Sequence, residues 1–169
     1  GNISTKALRI IAQVSEGSVR DGISLLDRAI TYQSVASKNQ IDDEDIRSML
    51  GLADKTKVIR ILQEVFKGNS KNAINILKEL FDQGIESKHF LNDILEILSL
   101  INRKLSLGSI ENDKILPEEE INLINEISKG IGIEDVGLFW QLTIKTIDDL
   151  KKINDEEVTL EMYVMQLLH

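Results

Sequence analysis

The chain has 169 residues, 42% of them hydrophobic, with 28 acidic against 20 basic side chains and a formal net charge of −8. That length bounds the chain to one or two domains with real cores, and a single proline with ten glycines suits helices joined by short connections. The absence of cysteine excludes a disulfide framework and thiol chemistry, no apolar run has the length of a membrane span, and the acid excess argues against a duplex-binding surface, which needs clustered Lys and Arg.

Hydrophobic periodicity predicts about nine helices and no strand. The first runs from about Thr5 to Ser15, burying Ala7, Ile10, Ile11 and Val14, and stops at Gly17. The second opens in Gly17-Ser18-Val19-Arg20-Asp21-Gly22 and ends near Gln33. Ser18 and Asp21 have capping-box spacing, so Ser18 can accept from the third helical N–H and Asp21 can reach back. Val19, Ile23, Leu26 and Ile30 form an apolar face that leaves Arg20 outside. The start of a helix, with its free N–H groups, is partially positive and disfavours an arginine by some tenths of a kcal/mol. An anion such as phosphate would satisfy both charges. On the residues alone, a surface arginine paired with Glu16 or Asp21 is the favoured reading.

A polar loop leads to Ile41, and Asp42 then caps a short helix with Ile41 and Ile46 at the two staple positions. That helix stops at Leu50-Gly51, which places a domain boundary near Leu52. Helices follow over about Lys55–Phe66, with a stripe of Val58, Ile61, Leu62, Val65 and Phe66, and over about Ser70–Gln83, burying Ala73, Ile76, Leu77, Leu80 and Phe81. Between Phe90 and Ile101 large apolar residues surround most of the helix circumference, as expected of an element enclosed by others. An exposed connection is expected over Gly108–Lys114, a helix opened by Leu116-Pro117-Glu118-Glu119-Glu120, and two last helices over Val136–Leu150 and Glu157–Leu168.

No G-x-x-x-x-G-K-[ST] is present, so this chain cannot cradle and hydrolyse ATP by itself, and no catalytic residue is expected. His89 and His169 lack a second ligand at metal-binding spacing. The acids at Asp42–Asp45, Glu118–Glu120 and Asp155–Glu157 begin helices, and capping explains them. Lys55, Lys57, Arg60, Lys67, Lys71 and Lys78 spread over two helices as a solvated face rather than a DNA track. Phe139 and Trp140 adjoin on one helix and point in different directions; core for both is favoured over a base-stacking platform.

The stretch from Ser15 to Ile30, with Ala7-Leu8 and Ile11-Ala12 before it, resembles the sensor-2 helix of AAA+ ATPases. Its form is that of the gamma/tau subunits of bacterial DNA polymerase III, approximately A-L-x-x-I-A-x-x-S-E-G-S-x-R-D-A-L-S-L-L-D-Q-A-I. Gly22, Ile23 and Arg28 depart from the family's usual Ala, Leu and Gln. Gly51-Leu52, Gly84-Ile85-Glu86, Leu138-Phe139-Trp140-Gln141 and Leu160-Glu161-Met162 with Leu167-Leu168 follow in the order of the family's third domain.

The resemblance implies an all-α chain: a small helical AAA+ lid remnant, residues 1–52 and incomplete at its N-terminus, followed by a helical-bundle collar domain, residues 53–169. It implies a role in ATP-driven loading of the sliding clamp during DNA replication. Arg20 would make the sensor-2 contact to an ATP phosphate, supported by Ser18 and Asp21. No cofactor would belong to this piece, while ATP with Mg would bind the parent protein's ATPase domain. The implied partners are the delta, delta-prime and further gamma/tau subunits through the collar. The sliding clamp and primed DNA would be met by the complete complex, in the cytoplasm and without a membrane. Two alternatives stand beside this: another clamp-loader or AAA+ subunit, and a stand-alone helical scaffold whose Arg20 pairs only with neighbouring acids.

Overall fold

The computed structural model describes residues 2–50, 54–110 and 118–169. The chain is all-α and divides into two compact units, Gly1–Leu52 and Ala53–His169. The expected closure at Gly51, the boundary itself, the Pro117 helix start and part of the 108–114 connection lie outside the described residues.

The first unit holds α1 (Thr5–Val14), α2 (Val19–Ala36) and α3 (Asp43–Met49). Ser4 caps α1 by accepting from the Ala7 N–H at 3.1 Å. A full capping box opens α3: the Asp42 side chain accepts from the Asp45 N–H at 2.9 Å, and the Asp45 carboxylate accepts from the Asp42 N–H at 3.1 Å. Ile41 and Ile46, at the staple positions, are both fully buried. Their core is completed by Ala7, Ile10, Ile11 and Ala29, with Ile3, Leu25, Leu26, Met49 and Leu50 packed around it. Val14, expected inside, is exposed, because α1 turns only its Ala7–Ile10–Ile11 side to this small core. One isolated parallel bridge ties Ile3 to Ile41: the Ser4 N–H donates to the Ile41 carbonyl and the Ile41 N–H to the Asn2 carbonyl, each at 2.9 Å.

The second unit contains α4 (Lys55–Phe66), α5 (Ser70–Asp82), α6 (Ser87–Leu107), α7 (Glu118–Ser128), α8 (Ile133–Leu150) and α9 (Glu156–Leu167). α6 packs against α4, α7, α8 and α9, so its near-continuous apolar surface is enclosed. Phe90, Leu91, Ile94, Ile97, Leu98 and Ile101 are buried on it. Phe139 leans inward from α8 and stacks on Phe66 of α4, with ring centroids 5.4 Å apart. Its neighbour Trp140 is instead 40% exposed, so the pair is not core on both sides; a helix rotates successive residues by about 100°, and only one of the two can face α4. In the same core the Thr143 and Tyr163 hydroxyls share a 2.6 Å hydrogen bond.

Candidate functional site

The candidate residues gather where α1 gives way to α2. Ser15 is buried and its hydroxyl donates to the Ile11 carbonyl at 2.6 Å, which ties off the last turn of α1. Glu16 and Gly17 then both adopt left-handed backbone, with φ of 50° and 82°. Glycine takes this conformation freely, while for Glu16 it costs about 1 kcal/mol. The two residues reverse the chain within one step, and the Ser18 N–H returns to the Ser15 carbonyl at 2.9 Å.

Ser18 caps α2 as its spacing predicts: its hydroxyl accepts from the Asp21 N–H at 3.2 Å. The reciprocal half of the box is not formed. Asp21 would have to accept from the Ser18 N–H, and Ser15 has already taken that proton. Ser15 is thus a supporting residue that the motif spacing did not single out; its serine hydroxyl four residues after Ile11 is the signal for such a tie.

The apolar face assigned to α2 also differs. Val19, Ile23 and Ile30 are 77%, 55% and 43% exposed, and Ala29 is the buried residue of the helix. Leu25 and Leu26 pack beside it, and Gly22 lets the first turn of α2 lie against Ser15. Ala29 with Leu25 and Leu26 meets the core of the unit, and Val19, Ile23 and Ile30 are left on the flank.

Arg20 is exposed on this first turn and forms no ion pair with Glu16 or Asp21 among the described residues. The backbone N–H groups of Val19 and Arg20 likewise donate to no acceptor there. Two free amides and a free guanidinium at a helix N-terminus suit a bound oxyanion such as a phosphate group. Asp21 adds one carboxylate to the same turn, where the helix dipole favours it.

Several other charged residues find local partners. Lys55 pairs with Glu96 at 2.8 Å, Lys57 with Glu79 at 3.9 Å and Arg60 with Glu119 at 3.7 Å, as a solvated face would. His89 lies 3.3 Å from Glu86 in the first turn of α6. Among the described residues no three His, Cys, Asp or Glu side chains converge, and no helix is long and apolar enough to cross a membrane.

A three-helix unit followed by a bundle around one enclosed helix is a fold that this chain shares with a clamp-loader protein of known structure. The structure is similar to that of the Bacillus subtilis DNA clamp loader delta protein, with a TM-score of 0.59 over 98% of this chain and 51% of that one. At 16% identity the likeness is one of fold. Residues 41–169 match the family described as DNA polymerase III subunits gamma and tau domain III, and residues 2–35 match the DNA polymerase III clamp loader subunit, ATPase lid domain. The chain belongs to the DNA polymerase III gamma and tau family.

Among its relatives, DNA polymerase III subunit gamma of Buchnera aphidicola (subspecies Baizongia pistaciae) is 27% identical over 165 residues, or 97% of this chain. DNA polymerase III subunit tau of Escherichia coli K12 is 26% identical over 164 residues, or 96% of this chain. The chain spans 44% and 24% of the lengths of these two relatives.

Proposed function

We propose that this chain is the lid and collar part of a gamma/tau clamp-loader subunit, and that Arg20 reports the nucleotide state of the ATPase domain to the lid. The observation that carries the reading is the free first turn of α2. Arg20 has no acidic partner of its own among the described residues, although Glu16 and Asp21 stand within four residues of it. The match to gamma and tau profiles favours this family over another clamp-loader subunit or a stand-alone scaffold.

In this reading residues 1–52 form the lid and residues 53–169 the collar. ATP with Mg, held by the parent's ATPase domain, supplies the phosphate charge. The chain's own residues do the coupling. Ser18 fixes where α2 begins, the left-handed Glu16–Gly17 turn and the Ser15 tie fix its direction from α1, and Arg20 meets the anion. A charge-assisted contact of this kind contributes roughly 1.5–3 kcal/mol, enough to bias a lid with two positions. The collar associates with delta, delta-prime and further gamma/tau subunits, and the assembled complex acts on the sliding clamp and primed DNA.

The test is Arg20→Ala in the full-length subunit, assembled with its partner subunits. ATP-dependent clamp loading is expected to fall roughly ten- to a hundredfold, the rate equivalent of losing one charge-assisted bond. The circular dichroism and melting of the chain should stay as they are, because Arg20 packs against nothing in the core. Unchanged loading overturns the assignment of Arg20.

A further inference from the structure

Beyond Ala29 no residue of α2 is buried, so burial does little to hold the last turns of the helix. A polar clasp holds them, and Gln33 is its centre. The Gln33 side-chain oxygen accepts from the Asn2 N–H at 3.2 Å, and its amide nitrogen donates to the Asn39 carbonyl at 2.9 Å and to the Asn2 carbonyl at 3.5 Å. Turned the other way, the amide would set donor against donor and acceptor against acceptor at each of these contacts. One side chain thus grips two segments far apart in sequence, residues 2–4 and residues 39–41, which the Ile3–Ile41 bridge also pairs.

The second of these segments opens α3, since Ile41 immediately precedes the Asp42 cap. Another tie runs the same way. The Lys38 N–H donates to the Gln33 carbonyl at 3.3 Å, and the Lys38 ammonium pairs with Asp45, buried in the first turn of α3. The side chain and the carbonyl of a single residue therefore join the end of α2 to the start of α3. Arg20 lies about 20 Å away along the same helix, and a helix of this kind can carry coupling as a rigid element.

We propose that Gln33 is a positioning residue: it locks α2 to the opening of α3, so that a displacement of the Arg20 turn is delivered to α3, the helix after which the chain passes to the second unit. This rests on the reading of Arg20 as a phosphate contact and adds a route for its signal within the first unit.

The test is ATP-dependent clamp loading by the full-length subunit, assembled with its partner subunits, with Arg20→Ala and Gln33→Ala taken singly and together. Gln33→Ala should lower loading at saturating ATP roughly three- to tenfold, the rate equivalent of one ordinary hydrogen bond. The ATP concentration for half-maximal loading should stay where it is, because Arg20 and the start of α2 are untouched. Substitutions this far apart ordinarily act independently. On one lever they do not, and the double variant should load no less than Arg20→Ala alone. Independent, multiplied losses overturn the proposal, as does full loading at saturating ATP by Gln33→Ala. Gln33→Glu keeps the size and the acceptor but turns a carboxylate on two carbonyls, and should match the Ala variant. Loading that survives Arg20→Ala defeats the nucleotide reading; loading lost in Arg20→Ala but kept in Gln33→Ala defeats the lever alone.

The clasp also has a readout free of nucleotide. In the 169-residue chain Gln33→Ala should speed hydrogen exchange several-fold at the Ser4 and Ile41 amides, whose bonds join the two gripped segments. Helix content should be unchanged, since Gln33 lies outside the core of the unit. Unaltered exchange at both amides overturns the clasp.

Discussion

α2 and α6 are both long and rich in Leu and Ile, yet α2 buries only Ala29 whereas α6 buries eight residues between Ser87 and Ile101. The cause lies in the neighbours rather than in the helices. α6 has other helices on most of its sides, and α2 rests chiefly on α1. An enclosed helix supports its unit through burial; a half-covered one keeps a free terminus and a free flank for binding. The contact proposed for Arg20 sits on the second kind, in keeping with functional elements being drawn from the less buried parts of a fold.

The hardest blow to this contrast is aimed at α6. Phe90→Ala should cost the second unit about 3–5 kcal/mol, read as lost amide protection along α6 in hydrogen exchange. A loss under about 1 kcal/mol, the level of an ordinary surface change, would mean that enclosure is not what holds the bundle.

A smaller effect separates the first unit by pH. Burial pushes the Asp45 carboxyl up, but hydrogen bonds from Lys38 and Asp42 and the Lys38 charge outweigh it and hold the group below its ordinary value. Its contribution is therefore present above about pH 4 and is lost as pH falls through the lower folded value. Lys38, raised by its bond to Asp45, loses its share only at strongly alkaline pH. Acid should release α3 amides first, and Asp45→Asn should flatten that acid response. An Asn variant with the same acid response as the native chain would assign the effect to another group.

The smallest expected change is a gain. Gly22 has helical backbone without positive φ, and an added Cβ would stand 3.4 Å from the Ser15 hydroxyl, an ordinary contact. Gly22→Ala should stabilise the first unit by about 0.5–1 kcal/mol, seen as a higher melting temperature. A fall instead would show that α2 needs its close approach to α1.

Element order and most helix boundaries were legible in the sequence, because caps and breakers mark them locally: Ser18, Asp42 and Asp155 each accept the N–H bond that their type and place predict. Coverage was not legible. The spacing of Val19, Ile23 and Ile30 reports an apolar flank truly, but only the structure shows that Ala29, with Leu25 and Leu26 beside it, meets the core. The reciprocal Asp21 bond fails for a related reason, since its donor was taken by Ser15 across a turn that periodicity does not describe. Arg20 has no local pattern that distinguishes it from any surface arginine. Its role is suggested by family resemblance and by the lack of a partner in the structure, and neither is a matter of spacing.

The bridge between Ile3 and Ile41 bears on how this chain can be dissected. Homology to the third domain begins at residue 41, whereas Ile41 gives both its backbone hydrogen bonds to residues 2–4. A piece begun at the homology boundary would carry α3 away with Ile41 and Ile46 bared, and would leave α1 and α2 without their third wall. A single cleavage in the 37–40 loop should do less harm, because the bridge and the shared core keep the severed halves together. Inheritance and folding thus divide this polypeptide one helix apart, and recombination that respected only the former would break the latter.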